Sequence, residues 1–128
     1  MQTLIFDKNH KGILIPLNSL LPFIANVMPE VSSVTWGVKK AYGYGIEICA
    51  LDDKLREGKS VQLSWDQIIT IANTPDTIIY DLIVSNVVLD IEFGVFDSTY
   101  LVVRGGVPDL HARIRQSFQD VRQSSKQS

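Results

Sequence analysis

One cysteine, two histidines and no long apolar run leave this 128-residue chain with few of the residues from which sites are usually built. The lone thiol, Cys49, excludes an internal disulfide and fits a reducing compartment. It falls in an apolar stretch with no base beside it and reads as an inert buried thiol. His10 and His111 are far apart and belong to no H-x-x-x-H or C-x-x-C spacing, which argues against zinc. No window approaches the ~18 apolar residues of a spanning helix. Met1 to Asp7 has neither a basic start nor a long apolar stretch, so neither secretion nor insertion is expected, and the cytoplasm is the expected location. The phosphate-binding patterns G-x-G-x-x-G and G-x-x-x-x-G-K-[ST] are both missing. No cofactor and no metal are expected, and no stretch carries a family motif.

A strong charge of one sign is missing too. Twelve Lys/Arg against fourteen Asp/Glu give −2 at pH 7. The balance is uneven, with seven basic and twelve acidic residues up to position 103, then five and two. A basic C-terminal segment can mark an arm for nucleic acid, but one this short rarely holds phosphates alone and reads first as a solvated helix face. Nucleic acid is therefore an unfavoured partner.

What is present is an ordinary globular balance, 45% apolar and 20% charged residues, enough for a core without staples. The expectation is a single domain over 1–122 with a disordered tail over 123–128. "TLIF" and "GILIPL" read as two strands joined by a polar turn ending at Gly12. "NSLLPFIANVM" reads as a short helix capped by Asn18 or Ser19, with Pro22 in its first turn. "SVTWGV" and "YGIEICAL" read as two strands with Lys39, Lys40 and Ala41 near the bend, and 52–59 as a charged surface loop. "SWDQIITIAN" opens with the capping box Ser64…Gln67 and reads as a helix. Three strands come next, 77–84, 87–96 and 99–104, and then a helix from Pro108 to about Gln123 with its stripe at Leu110, Ile114, Phe118 and Val121. The order ββ-α-ββ-α-βββ-α predicts an α+β fold, a largely antiparallel sheet of about six or seven strands with helices on one face.

Four stretches invite a functional reading. Asp97-Ser98 would need glycines where Phe96 and Tyr100 stand to form a nucleophile elbow, so it reads as a hairpin turn. Arg104-Gly105-Gly106 precedes a helix and suggests an anion cradle, but Pro108 removes a donor and Asp109 already answers the helix dipole. Asp90 and Glu92, two apart on a strand, share a face and suggest an acid/base pair or a divalent-metal hydrolase. The plainer reading of that pair is a solvated outer face. In "TWGVKKAYGYG", Trp36, Tyr42 and Tyr44 flank Lys39 and Lys40 on glycine-bared backbone. Tyr and Trp supply large, stiff contact area at binding surfaces, and the same mix can stack single-stranded bases.

These features favour a non-catalytic small acidic domain that binds another macromolecule, with a protein as the expected partner, no membrane, and a homo-oligomer left open. An inhibitor or immunity-type role against a basic enzyme fits the size and the charge by analogy alone. The two alternatives are the hydrolase on Asp90 and Glu92, and nucleic-acid binding through the basic C-terminal helix and the aromatic stretch.

Overall fold

The computed structural model describes residues 1–125. It is an α+β fold. Seven strands form one antiparallel sheet: β1 (Gln2–Ile5), β2 (Thr35–Tyr44), β3 (Gln62–Ser64), β4 (Ile78–Asn86), β5 (Ile91–Phe96), β6 (Tyr100–Gly105) and β7 (Val121–Ser124). Their order across the sheet is β3-β2-β4-β5-β6-β1-β7. The helices are α1 (Leu21–Val27), α2 (Ile46–Arg56), α3 (Trp65–Asn73) and α4 (Pro108–Ser117).

The helices bury their apolar faces in one core. Ile24, Ile48, Leu51, Ile68, Leu110 and Ile114 join the inward residues Ile5, Val38, Leu82, Val84, Phe93, Leu101 and Val103 of the strands. Ile83 and Val102 are also buried, yet they stand apart from that cluster, under the side chains of the opposite face. One sheet face is thus covered by helices and the other is not, the arrangement that alternating antiparallel strands favour.

Strands β4 to β6 show the expected alternation, except that β5 starts at Ile91 and not at residue 87: Val87 to Asp90 form the turn after β4, with Val87 and Val88 exposed. Asp97-Ser98 is indeed the turn between β5 and β6. Both residues have positive φ, 50° and 54°, as a type I′ turn requires. The Thr99 N–H closes it on the Phe96 carbonyl at 2.9 Å. Helix α3 starts where its capping box predicts, with the Gln67 N–H donating to Ser64 Oγ at 3.1 Å and the Ser64 N–H to Gln67 Oε1 at 2.8 Å. Such a cap contributes about 1 kcal/mol.

Several expectations fail. "GILIPL" forms no strand beyond an isolated bridge between Lys8 and Leu14. Strand β1 is paired on both sides, by β6 and β7, so no edge is left for it. Neither Asn18 nor Ser19 caps a helix; a 3₁₀ turn over Leu17–Ser19 leads into α1. "YGIEICAL" is not a strand, since the chain turns at Gly45 and runs helical from Ile46 through the charged segment to Arg56. Ile48, Leu51 and Leu55 recur at helical spacing and pack inward, while Ile46 is exposed. Cys49, on this helix, is exposed rather than buried.

At the C-terminal end, α4 stops at Ser117 instead of reaching Gln123. The Asp7 carboxylate accepts the backbone N–H groups of Gln119 and Asp120 and fixes the bend into β7. Gln123 and Ser124, expected in a disordered tail, pair with Thr3 and Gln2 of β1. Of that expected tail, 126–128 lie outside the described residues.

Candidate functional site

The stretch "TWGVKKAYGYG" is the single strand β2, and a β-bulge divides its side chains. Val38 opposes Val84 while Lys40 opposes Ile83, so Lys39 is the extra residue. A bulge reverses the parity of the residues beyond it. Trp36 and Val38 point inward; Lys40, Tyr42 and Tyr44 point out. Trp36 is fully buried, tilted against Trp65 at 5.7 Å and edge-on to Phe93 at 5.1 Å between ring centroids, with Nε1 donating to the Val31 carbonyl at 3.1 Å. It is a core residue and leaves the expected surface set. Tyr42 and Tyr44 remain 50% and 65% exposed.

A second bulge, on β4, adds an aromatic residue that the sequence pattern does not single out. Tyr42 opposes Asp81 and Gly43 opposes Ile79, so Tyr80 is the extra residue, and it turns to the uncovered face. Its ring lies 5.7 Å from that of Tyr42 and 6.5 Å from that of Tyr44. Gly43 is required here, because a Cβ at this position would collide with the Ile78 carbonyl. Ile78, opposite Tyr44, and Ile46, just beyond it, are both exposed. Tyr42, Tyr44 and Ile78 thus form an exposed corner around the half-buried ring of Tyr80.

From this corner a band of rings and cations crosses the sheet. Lys40 Nζ lies 4.9 Å over the Phe96 ring and 3.4 Å from Asp81 Oδ1. Phe96 stacks on Tyr100 at 5.2 Å, Tyr100 meets Phe6 at 5.3 Å, and Arg122 lies 4.1 Å over Phe6. Asp81 Oδ1 also accepts the Asp97 N–H at 2.7 Å, so it anchors both Lys40 and the β5–β6 turn. Phe96 was legible as outward from its place two residues beyond Gly94 and four beyond Glu92. Arg122 was not, because β7 was not.

Glu92 does not work as a free carboxylate. Lys39 Nζ lies 2.6 Å from its Oε1, and Arg104 Nη1 donates to its Oε2 at 2.6 Å. Burial alone would raise its pKa; hydrogen bonds from Lys39 and Arg104 outweigh that and hold it below the ordinary glutamate value. Asp90 shares an open cleft of about 360 Å³ with Glu92, lined also by Lys39, Asn86 and Arg104. It sits at positive φ in the Val87–Asp90 turn, not on the strand. Two cations already hold Glu92, so a divalent metal there would meet repulsion. Among the described residues, no three His, Cys, Asp or Glu side chains converge as metal ligands would.

The remaining candidates are occupied by the fold. The Gly105 N–H donates to the Met1 carbonyl and the Gly106 N–H to the Asp90 carbonyl, so neither is available to an anion. Asp109 pairs with Arg113 at 3.0 Å, as its spacing predicts. His111 is buried, with Nε2 donating to the Gly105 carbonyl at 2.6 Å and Nδ1 facing Thr3 Oγ1 at 2.6 Å. A carbonyl only accepts, so Nε2 carries a proton; burial favours the neutral ring, and in that form Nδ1 accepts the Thr3 hydroxyl. Nothing in the sequence signals this pairing. Among the described residues, no helix is long and apolar enough to cross a membrane.

The chain matches no protein-family model, no curated protein and no solved structure.

Proposed function

We propose that this protein is a non-catalytic interaction domain that binds another protein through the uncovered face of its sheet. The observation that carries the reading is the corner where Tyr42, Tyr44 and Ile78 are exposed together beside Lys40. Large amphipathic rings on a rigid strand lose little conformational entropy on binding, and tyrosines are enriched at the centres of interfaces. The sheet holds them in register, and the bulges at Lys39 and Tyr80 turn them to one side. The non-catalytic part rests on the engagement of the groups that would do chemistry. Glu92 is held by two cations, His111 has both nitrogens occupied, and Ser98 lies in a tight turn.

The test is affinity isolation from the native host with the wild-type chain and with a Tyr42→Ala/Tyr44→Ala variant of unchanged melting temperature. The proposal expects a discrete protein retained by the wild type and weakened by about 1–2 kcal/mol or more in the variant. A partner held equally by both would move the interface elsewhere.

A further inference from the structure

We infer that the partner of this face is acidic: a protein surface whose carboxylates surround an apolar or aromatic centre. The inference rests on the binding role proposed above and deepens it. It reverses the charge expected from composition, since an acidic chain with Asp90 and Glu92 on a sheet face points first to a basic partner.

The register layers the charges of this face by depth. The side chains of Lys39, Lys40 and Arg104 are 61%, 51% and 28% exposed, while those of Glu92 and Asp81 beneath them are 16% and 7% exposed. Three cations thus stand above these two carboxylates, which hold them in place without presenting their own charge outward. The exposed carboxylate at this cleft is Asp90, on the Val87–Asp90 turn. Lys39 is tied to Glu92, Arg104 to Glu92 and to Gln2, and Lys40 to Asp81 and the Phe96 ring. An ammonium has three N–H donors, so Lys39 and Lys40 keep donors for an incoming carboxylate. Having been ordered already, they lose less entropy on binding than free lysines would. A basic partner approaching here would meet exposed like charges.

Single-stranded nucleic acid is the other polyanion to consider, and the rings argue against it. Base stacking needs free aromatic faces. Phe96 carries Lys40 over its ring and stacks on Tyr100 with planes 13° apart, Phe6 is covered by Arg122, and Tyr80 contacts both Tyr42 and Tyr44. The rings of Phe96 and Phe6 are thus engaged within the protein, which leaves Tyr42 and Tyr44 as the most exposed aromatics and gives no continuous track of free rings for successive bases. Two tyrosines beside ammonium groups suit apolar side chains flanked by carboxylates.

The experiment pans a random linear-peptide library against the immobilised full chain, then measures the winning peptides against Lys39→Gln/Lys40→Gln and, separately, Tyr44→Ala. Thermal melts exclude unfolded variants, and Lys40→Arg serves as the charge-preserving control. The expected winners are rich in Asp and Glu around an aromatic or leucine. They should bind about tenfold more weakly to the double Lys variant and in raised salt, and normally to Lys40→Arg. Winners that are basic or neutral, weakened by Tyr44→Ala but not by loss of the lysines, would overturn the acidic partner and leave the binding face standing. Winners indifferent to every variant, or no winners, would overturn both. A fluorescent oligothymidylate that displaces the peptides would transfer the face to nucleic acid and overturn the inference.

Discussion

Thr3 Oγ1 lies 2.6 Å from the Nδ1 of His111 and joins β1 to α4 across 108 positions of sequence. Gln123 of β7 closes the group, donating to Thr3 Oγ1 at 3.0 Å and to the His111 carbonyl at 2.9 Å. This buried group fastens the C-terminal strand to the sheet. Burial holds the His111 pKa below its ordinary value; the hydrogen bond to the Gly105 carbonyl opposes the shift without cancelling it. As pH falls through the unfolded value of about 6.5, the unfolded chain takes the proton first. The stability that neutral His111 contributes is therefore complete above that value and lost as pH drops towards its lower folded pKa. The melting temperature should fall over this window, and His111→Gln should flatten the slope while lowering the melt at neutral pH.

Asp90 and Glu92 should separate cleanly under mutation. Asp90→Asn changes an exposed turn residue to one that also tolerates positive φ, and should shift stability by no more than about 0.5 kcal/mol. Glu92→Gln leaves Lys39 and Arg104 without their counter-charge and should cost about 1–3 kcal/mol. The folded pKa of Glu92 is depressed, so its contribution is present above the unfolded value and lost as acid drives the pH through the folded one. Urea titrations of the two variants at neutral pH would show the difference.

Trp36 and Tyr44, eight residues apart on β2, should behave oppositely. Trp36→Ala removes a fully buried ring from the Trp65–Phe93 cluster and should cost roughly 3–5 kcal/mol. Tyr44→Ala truncates a mostly exposed ring and should cost under about 1 kcal/mol. Thermal melts decide this, and a large loss at Tyr44 would make that ring a structural element instead of a contact.

How much of this was legible in the sequence depends on the element. Strands β4 to β6 and helix α3 could be read from alternation and a capping box. Helix α2 could not, because Ile46, Ile48 and Ala50 alternate as a strand would, although Ile48, Leu51 and Leu55 carried the helical period. Strand β7 was hidden because Phe118 and Val121 extend the stripe of α4 by chance of spacing. The site was half visible. Tyr42, Tyr44, Lys39 and Lys40 could be named, but Trp36 shares the even parity of the two tyrosines and reads as one of their set. Only the bulge at Lys39, a feature of pairing with β4, separates the two sets. The depth of Glu92 and Asp81 beneath their cations likewise depends on cross-strand register, which a single sequence does not display.

The central claim is that the uncovered face is the contact surface. Its most direct measurement is position-specific photo-cross-linking in the native host, with a photoreactive side chain at Tyr44 and, for comparison, at the exposed Gln116 on α4 of the helical side. A contact role for this face predicts a discrete cross-linked protein from position 44, lost when Tyr42 is also truncated, and none from position 116. Cross-links from position 116 with none from position 44 would contradict it.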